Sequence, residues 1–208
     1  AANIIWATAR LRKKQPMLKQ LLPPLAARLP DIAGRMNAQN LANIVWATGM
    51  LQLDDSTAAR VLQVSASRAQ QVIGTFTPQT TANLLWGMAQ CGWTNTTFLK
   101  SVAPAIANSA RAWRGRPAEL ALPMVACAFA RLGARSGAVL RVVAAQTSRM
   151  VPRMNPWGLA ALLWSYRQLE AGAEFEAFIG RLEAEVARRG ISENLVARSW
   201  RGPEDWQE

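Results

Sequence analysis

Residues 78–92 read PQTTANLLWGMAQCG, and this stretch returns along the chain at a nearly fixed interval. Its landmark is Trp86. Residues 37–52, NAQNLANIVWATGMLQ, place Trp46 in the same position, and residues 1–11, AANIIWATARL, place Trp6 there, so these landmarks stand 40 residues apart. Residues 155–170, NPWGLAALLWSYRQLE, carry the landmark at Trp164, 78 residues past Trp86, which leaves room for one diverged copy. That copy is residues 117–133, PAELALPMVACAFARLG; its ending aligns if Cys127 takes the landmark position and its opening if Val125 does, a two-residue insertion. A period near 40 residues fits stacked pairs of helices. The expected fold is all-α: an α-solenoid of tandem helical hairpins over residues 1–190, about five units with the first incomplete, followed by a C-terminal tail, 191–208.

The composition is half hydrophobic, enough for a continuous core if consecutive units stack. No apolar run approaches the roughly 18 residues that cross a bilayer, so no membrane insertion is expected. The chain starts without Met and in mid-unit, which reads as a processed or truncated N-terminus, and no signal-peptide layout is visible there. Cys91 and Cys127 belong to no CxxC pair and read as free buried thiols. Histidine is absent, which removes the commonest general base and the commonest zinc ligand. There are no carboxylates paired on one helical face, no Gly-rich phosphate loop after a strand and no nucleophile with a base to activate it. Neither catalysis nor a cofactor is expected. Charge is uneven: residues 1–160 hold 18 Lys and Arg against 4 Asp and Glu, and the rest hold 6 against 9. A basic body ending in an acidic unit suits a polyanionic partner, although excess arginine also serves simply to solvate outer faces.

Each unit reads as two helices. One pair runs from about Gln39 to Leu51 and from about Ser56 to Ile73, with Asp54, Asp55 and Ser56 supplying cap chemistry between them. The next pair follows Thr77–Pro78 and Asn95–Thr96. Pro104 is expected to kink or restart its helix, and Pro23 and Pro24 to leave two short turns. Later second helices are expected at about Gly137–Met150 and Glu174–Arg189, the latter ended by Gly190.

Wound at about 100° per residue, the first helices put offsets −5, −2, −1, +2 and +5 from the landmark on one side. These are Ile4, Ile5, Thr8 and Leu11; Leu41, Ile44, Val45, Thr48 and Leu51; Thr81, Leu84, Leu85, Met88 and Cys91; Leu159, Leu162, Leu163, Tyr166 and Leu169. That side is the expected core. Small flanking residues such as Ala42, Ala47, Gly49, Ala82, Gly87 and Ala89 would let neighbouring first helices pack closely.

The landmark lies nearly opposite the core, with polar company at offsets −7, −3 and +4. The ribbon so formed contains Asn3, Trp6 and Arg10; Gln39, Asn43, Trp46 and Met50; Gln79, Asn83, Trp86 and Gln90; Trp157, Ala161, Trp164 and Gln168. Flat rings for stacking, amides for base edges and nearby arginines for phosphates are what modular single-stranded RNA readers use. Offsets −7 and −6 vary most between copies, adding Asn40 and Thr80 as candidate base contacts. The arginines Arg111, Arg114 and Arg116, and the run Arg10, Arg12, Lys13 and Lys14, are candidate phosphate contacts. The alternative is packing: tryptophans wedged between first helices, asparagines in a structural amide ladder, and the basic runs as solvated loops.

The recurring string, of the form PxxLANLLWAxAxLG, resembles the octotricopeptide repeat of organellar RNA-binding proteins, and is similar to heptatricopeptide repeats and to the helical region of FAST kinase-like proteins. The resemblance spans about Ala1 to Gly190. It implies an α-solenoid in a chloroplast or mitochondrion that binds single-stranded RNA and supports RNA maturation, stability or translation. The fourth copy lacks its Trp and Asn, Ala161 replaces Asn in the fifth, and there is no trace of the RAP domain that members often carry. Two other functions fit the same residues. One is an architectural subunit of a large organellar ribonucleoprotein such as a ribosome, contacting rRNA and neighbouring subunits. The other is an armadillo-like scaffold for an acidic peptide.

Overall fold

The computed structural model describes residues 2–11, 20, 22–192 and 195–198, which form α-helices joined by short loops and 3-10 turns, with no strand among the described residues. The helices are α1 (Ala2–Leu11), α2 (Leu22–Ala27), α3 (Leu29–Ile32), α4 (Ala38–Leu51), α5 (Asp55–Val72) and α6 (Pro78–Gln90). They continue with α7 (Thr96–Ala110), α8 (Gly115–Arg131), α9 (Gly137–Thr147), α10 (Pro156–Gln168), α11 (Glu176–Arg188) and α12 (Leu195–Arg198). The fold is all-helical. The landmark-bearing helices pack one on the next, α1 on α4, α4 on α6, α6 on α8 and α8 on α10. Beside this row α5 packs on α4, α9 on α8 and α11 on α10, while α7 touches both α5 and α9.

Local sequence sets both ends of the first helices. At the start, the side chains of Asn37, Thr77 and Asn155 accept the backbone N–H three residues on, from Asn40, Thr80 and Gly158 respectively. Each satisfies one of the free donors of a helix start. At the end, the residue six past the landmark is left-handed in four copies: Gln52 (φ 49°), Gly92 (62°), Gly133 (64°) and Glu170 (46°). The next N–H then closes the last turn, with Trp93 N donating to Met88 O at 3.1 Å, Ala134 N to Phe129 O at 2.9 Å and Ala171 N to Tyr166 O at 3.1 Å. This shared ending puts Cys127, not Val125, in the landmark position. The insertion is taken up at the other end: α8 starts at Gly115, twelve residues before the landmark, whereas α4, α6 and α10 start eight before it.

The core face is the expected one in α4, α8 and α10, where every residue at the five offsets is buried, and in α6 only Cys91 is half-buried. The terminal helix α1 departs from the expectation. Ile5 and Thr8 are buried, but Ile4 is 50% exposed and Leu11 42%, while α1 packs on α4. The small flanks act as expected. A Cβ added to Gly87 would stand 2.5 Å from Val45 O and 2.6 Å from Val45 C, and one on Gly49 would stand 2.7 Å from Gln90 Cβ. Backbone therefore meets backbone where α4 crosses α6.

Several boundaries differ from expectation. Helix α7 runs unbroken through Pro104, which is exposed; the helix is held by the buried Phe98, Leu99, Val102 and Ile106 on its other face. Helix α9 stops at Thr147, where Ser148 and then the 3-10 turn Val151–Arg153 take over. Before α11 a 3-10 turn occupies Ala173–Phe175. In the tail, α12 packs on α10 with Val196 buried.

Candidate nucleic-acid interface

Water reaches the first helices on the side opposite the core. On α4 the non-buried residues include Gln39, Asn43, Trp46 and Met50; on α6, Gln79, Asn83 and Gln90; on α1, Asn3, Trp6 and Arg10; on α10, Trp164 and Gln168. These are members of the ribbon identified by offset. On α4 the ribbon is ordered by a hydrogen bond, Gln39 Nε2 donating to Asn43 Oδ1 at 2.7 Å. The bond leaves Gln39 Oε1 as an acceptor and Asn43 Nδ2 as a donor on adjacent turns.

The four tryptophans have three different surroundings. Trp6 is 36% exposed, with the Arg10 guanidinium carbon 5.5 Å from its ring centre. Trp46 and Trp164 are half-buried, and Arg131 of α8 lies 5.3 Å over the Trp164 ring. Such cation–π contacts hold the arginine by the ring's negative face. Trp86 is 1% exposed, so the expectation of an open stacking ring there is corrected. Its ring meets that of Trp157 edge-on, with centres 5.6 Å apart and planes at 68°. Trp157 comes from the start of α10, across α8, where Cys127 supplies far less volume than a tryptophan.

Two further candidates have local duties. Asn40 returns its Oδ1 to the Asn37 N–H at 3.4 Å, and Thr80 does the same to Thr77 N at 2.8 Å. Thr80 is also 3% exposed. In α4 and α6 the residue at offset −6 therefore closes a capping box, and Thr80 offers no surface to a base. Of the basic candidates, Arg111, Arg114 and Arg116 are exposed at the entrance to α8. Arg114 is turned inward, one guanidinium nitrogen donating to Arg111 O at 2.7 Å and to Trp113 O at 2.8 Å. Arg12, Lys13 and Lys14 lie outside the described residues.

Neither thiol adds chemistry. Burial pushes Cys127 up to about 12 and Cys91 up to about 11, so both stay protonated at neutral pH. Arg131 was not singled out from sequence, yet it stands four past Cys127, as Arg10 stands four past Trp6; fixing the α8 register would have found it. Arg153 was missed too, although Arg35, Arg116 and Arg153 all stand eleven before a landmark. No helix among the described residues is long and apolar enough to cross a membrane. No family model matches the chain, and no curated protein matches it in sequence, so the likeness to organellar repeat proteins stands on the repeated string alone.

Proposed function

We propose that the chain is an α-solenoid of tandem helical hairpins that binds single-stranded RNA along its row of landmark helices. In that role it supports RNA maturation, stability or translation, and the repeat resemblance points to a chloroplast or mitochondrion. The observation that carries the reading is the chemistry of the solvent-reached side of α1, α4 and α6. It holds the carboxamides of Asn3, Gln39, Asn43, Gln79, Asn83 and Gln90 beside the rings of Trp6 and Trp46. A carboxamide can both donate to and accept from a base edge without carrying charge. The excess of 18 cationic over 4 acidic residues in positions 1–160 attracts the backbone. The reading assigns the chain no reaction and no cofactor.

A second reading, an architectural subunit contacting rRNA and neighbouring proteins without reading sequence, draws on the burial of Trp86 under Trp157. One experiment separates the two. Asn43→Ala/Asn83→Ala is compared with the unaltered protein for enrichment from a random single-stranded RNA pool, alongside a melting curve. Base reading requires flattened enrichment with an unchanged melting temperature. Unchanged enrichment favours the architectural role, and a lowered melting temperature assigns the asparagines to packing.

A further inference from the structure

The loops entering α8 and α10 come together through side chains rather than backbone pairing. From the C-terminal part of α9, Gln146 Nε2 donates to Arg111 O at 2.7 Å, and Gln146 Oε1 accepts from Arg114 at 3.2 Å. The end of α9, which leads directly to Arg149, is thereby held against the Arg111–Arg116 loop. From the next loop, Arg153 pairs with Glu119 at 3.1 Å, in the same helix and one turn on from Arg116. Arg181 of α11 donates to Ser148 Oγ at 2.9 Å, beside Arg149. These contacts bring together the segments that carry Arg111, Arg114, Arg116, Arg149, Arg153 and Arg181, with Glu119 paired to Arg153. All six arginines are exposed.

Their duties differ. Arg114 commits its guanidinium to loop carbonyls and is a positioning residue. Arg153 sits in a surface ion pair with both side chains reached by solvent, an arrangement worth little and readily exchanged for another anion. Arg111, Arg116 and Arg149 have no acidic partner among the described ion pairs. Gathering such charges raises self-repulsion, which a polyanion relieves.

We propose that this surface grips the phosphate backbone of single-stranded RNA through Arg111, Arg116, Arg149 and Arg153, without reading bases. It rests on the reading above that the chain binds RNA, and it divides the work: amides on α1, α4 and α6 meet bases, and arginines at the entrances to α8 and α10 hold phosphates. Guanidinium groups pair with phosphate oxygens in a fork, and α8 packs directly on α6, so one strand can engage both surfaces.

The test follows fluorescence anisotropy of labelled oligouridine with the full chain over a series of salt concentrations. The patch variant is Arg111→Gln/Arg116→Gln/Arg149→Gln, and the control variant Arg28→Gln/Arg60→Gln/Lys100→Gln removes equal charge elsewhere. Circular dichroism confirms that each variant keeps its helices. The patch variant is expected to lower the slope of log affinity against log salt by about 2, at about 0.7 for each phosphate no longer neutralised, while the control keeps its slope. Equal losses in both variants would overturn the proposal, because the attraction would then be general. So would a patch variant that binds as the parent does. Asn43→Ala/Asn83→Ala is assayed alongside on a mixed-sequence strand. If it alone weakens binding, the patch fails and the base-reading surface stands; if only the patch variant weakens binding, the reverse holds. Failure of the unaltered chain to bind oligouridine at low salt, or tighter binding to polyglutamate, would overturn both.

Discussion

On α4 and α6 the offsets −7 and −3 hold Gln39, Asn43, Gln79 and Asn83, all at least partly in water; on α8 and α10 the same offsets hold Leu120, Met124, Trp157 and Ala161, and the last three are buried. Backbone plan, core face and helix ending are shared by both regions. What differs is how the landmark volume is filled. Where Cys127 replaces tryptophan, the Trp157 ring from the next landmark helix reaches over to Trp86. The volume has been restored from another position in another unit, whereas the polarity of the ribbon has not. At offsets −7 and −3 the row is open to solvent in its first part and largely closed by packing in its second. Packing volume can be replaced from a neighbouring unit, but an amide that meets a ligand has to stand where the ligand runs.

Trp157→Ala should break this contrast most severely. The ring is 8% exposed, and removing a buried tryptophan side chain costs about 3–5 kcal/mol, read as a lower urea midpoint. The same variant should make Trp86 accessible to acrylamide quenching. A loss below about 1 kcal/mol with Trp86 still protected would mean that α8 closes over Trp86 unaided.

Gly87→Ala probes the open region. In an unconstrained helix interior the change would gain about 1 kcal/mol, but here the new Cβ lands 2.5 Å from Val45 O on α4. Backbone atoms must separate, so a loss of about 1–3 kcal/mol is expected by chemical denaturation. In the closed region the corresponding positions are Ala128 and Ser165, both buried, so a Cβ is accommodated there whereas the backbone of α4 excludes one at Gly87. A stabilised Gly87→Ala would contradict that.

Much of this is legible in the sequence because it is periodic. Offsets from the landmark identify the core face of four landmark helices, and cap residues locate the starts of α5, α6 and α7 to within one residue. Burial of Trp86 is not legible: it depends on the landmark missing from α8 and on a ring supplied from α10, and helical periodicity within one segment carries no information about a neighbour two helices away. The roles of Asn40 and Thr80 differ from expectation for a local reason. Offset −6 varies between copies as a ligand-facing position would, but the residue three before it in α4 and α6, Asn37 or Thr77, forms the other half of a capping box. The continuity of α7 through Pro104 reflects tertiary burial overriding a local breaker.

Helix endings test what the regions share. Gln52 and Glu170 occupy left-handed backbone that glycine fills at Gly92 and Gly133. Gln52→Gly and Glu170→Gly should each stabilise by about 0.5–1 kcal/mol, less the entropy glycine adds to the unfolded chain. Equal shifts in melting temperature would show that the ending is independent of the open or closed ribbon; a gain confined to Gln52→Gly would tie the Glu170 turn to the packing of α10.

The smallest effect is a pH response confined to the open region. Asp54 starts α5; the Ser56 hydroxyl, 2.6 Å from Oδ1, and the Thr57 N–H, at 2.9 Å, both favour its ionised form. Together they lower its pKa from 3.8 to about 2, the Ser56 bond contributing most. A carboxylate held below its unfolded value adds stability that is complete above about pH 4 and is lost as pH falls through 2. The closed region starts α9 with a neutral cap, the Ser136 hydroxyl accepting from Val139 N at 3.4 Å, which has nothing to titrate. Amide hydrogen exchange between pH 5 and pH 2 should therefore show protection at Thr57 and Ala58 falling while that at Val139 and Leu140 holds, after correction for intrinsic rates. Parallel loss at both helix starts would instead mark global acid unfolding driven by carboxylates elsewhere, Glu185 among them, whose pairing with Arg188 and Arg189 lowers it to about 2 as well.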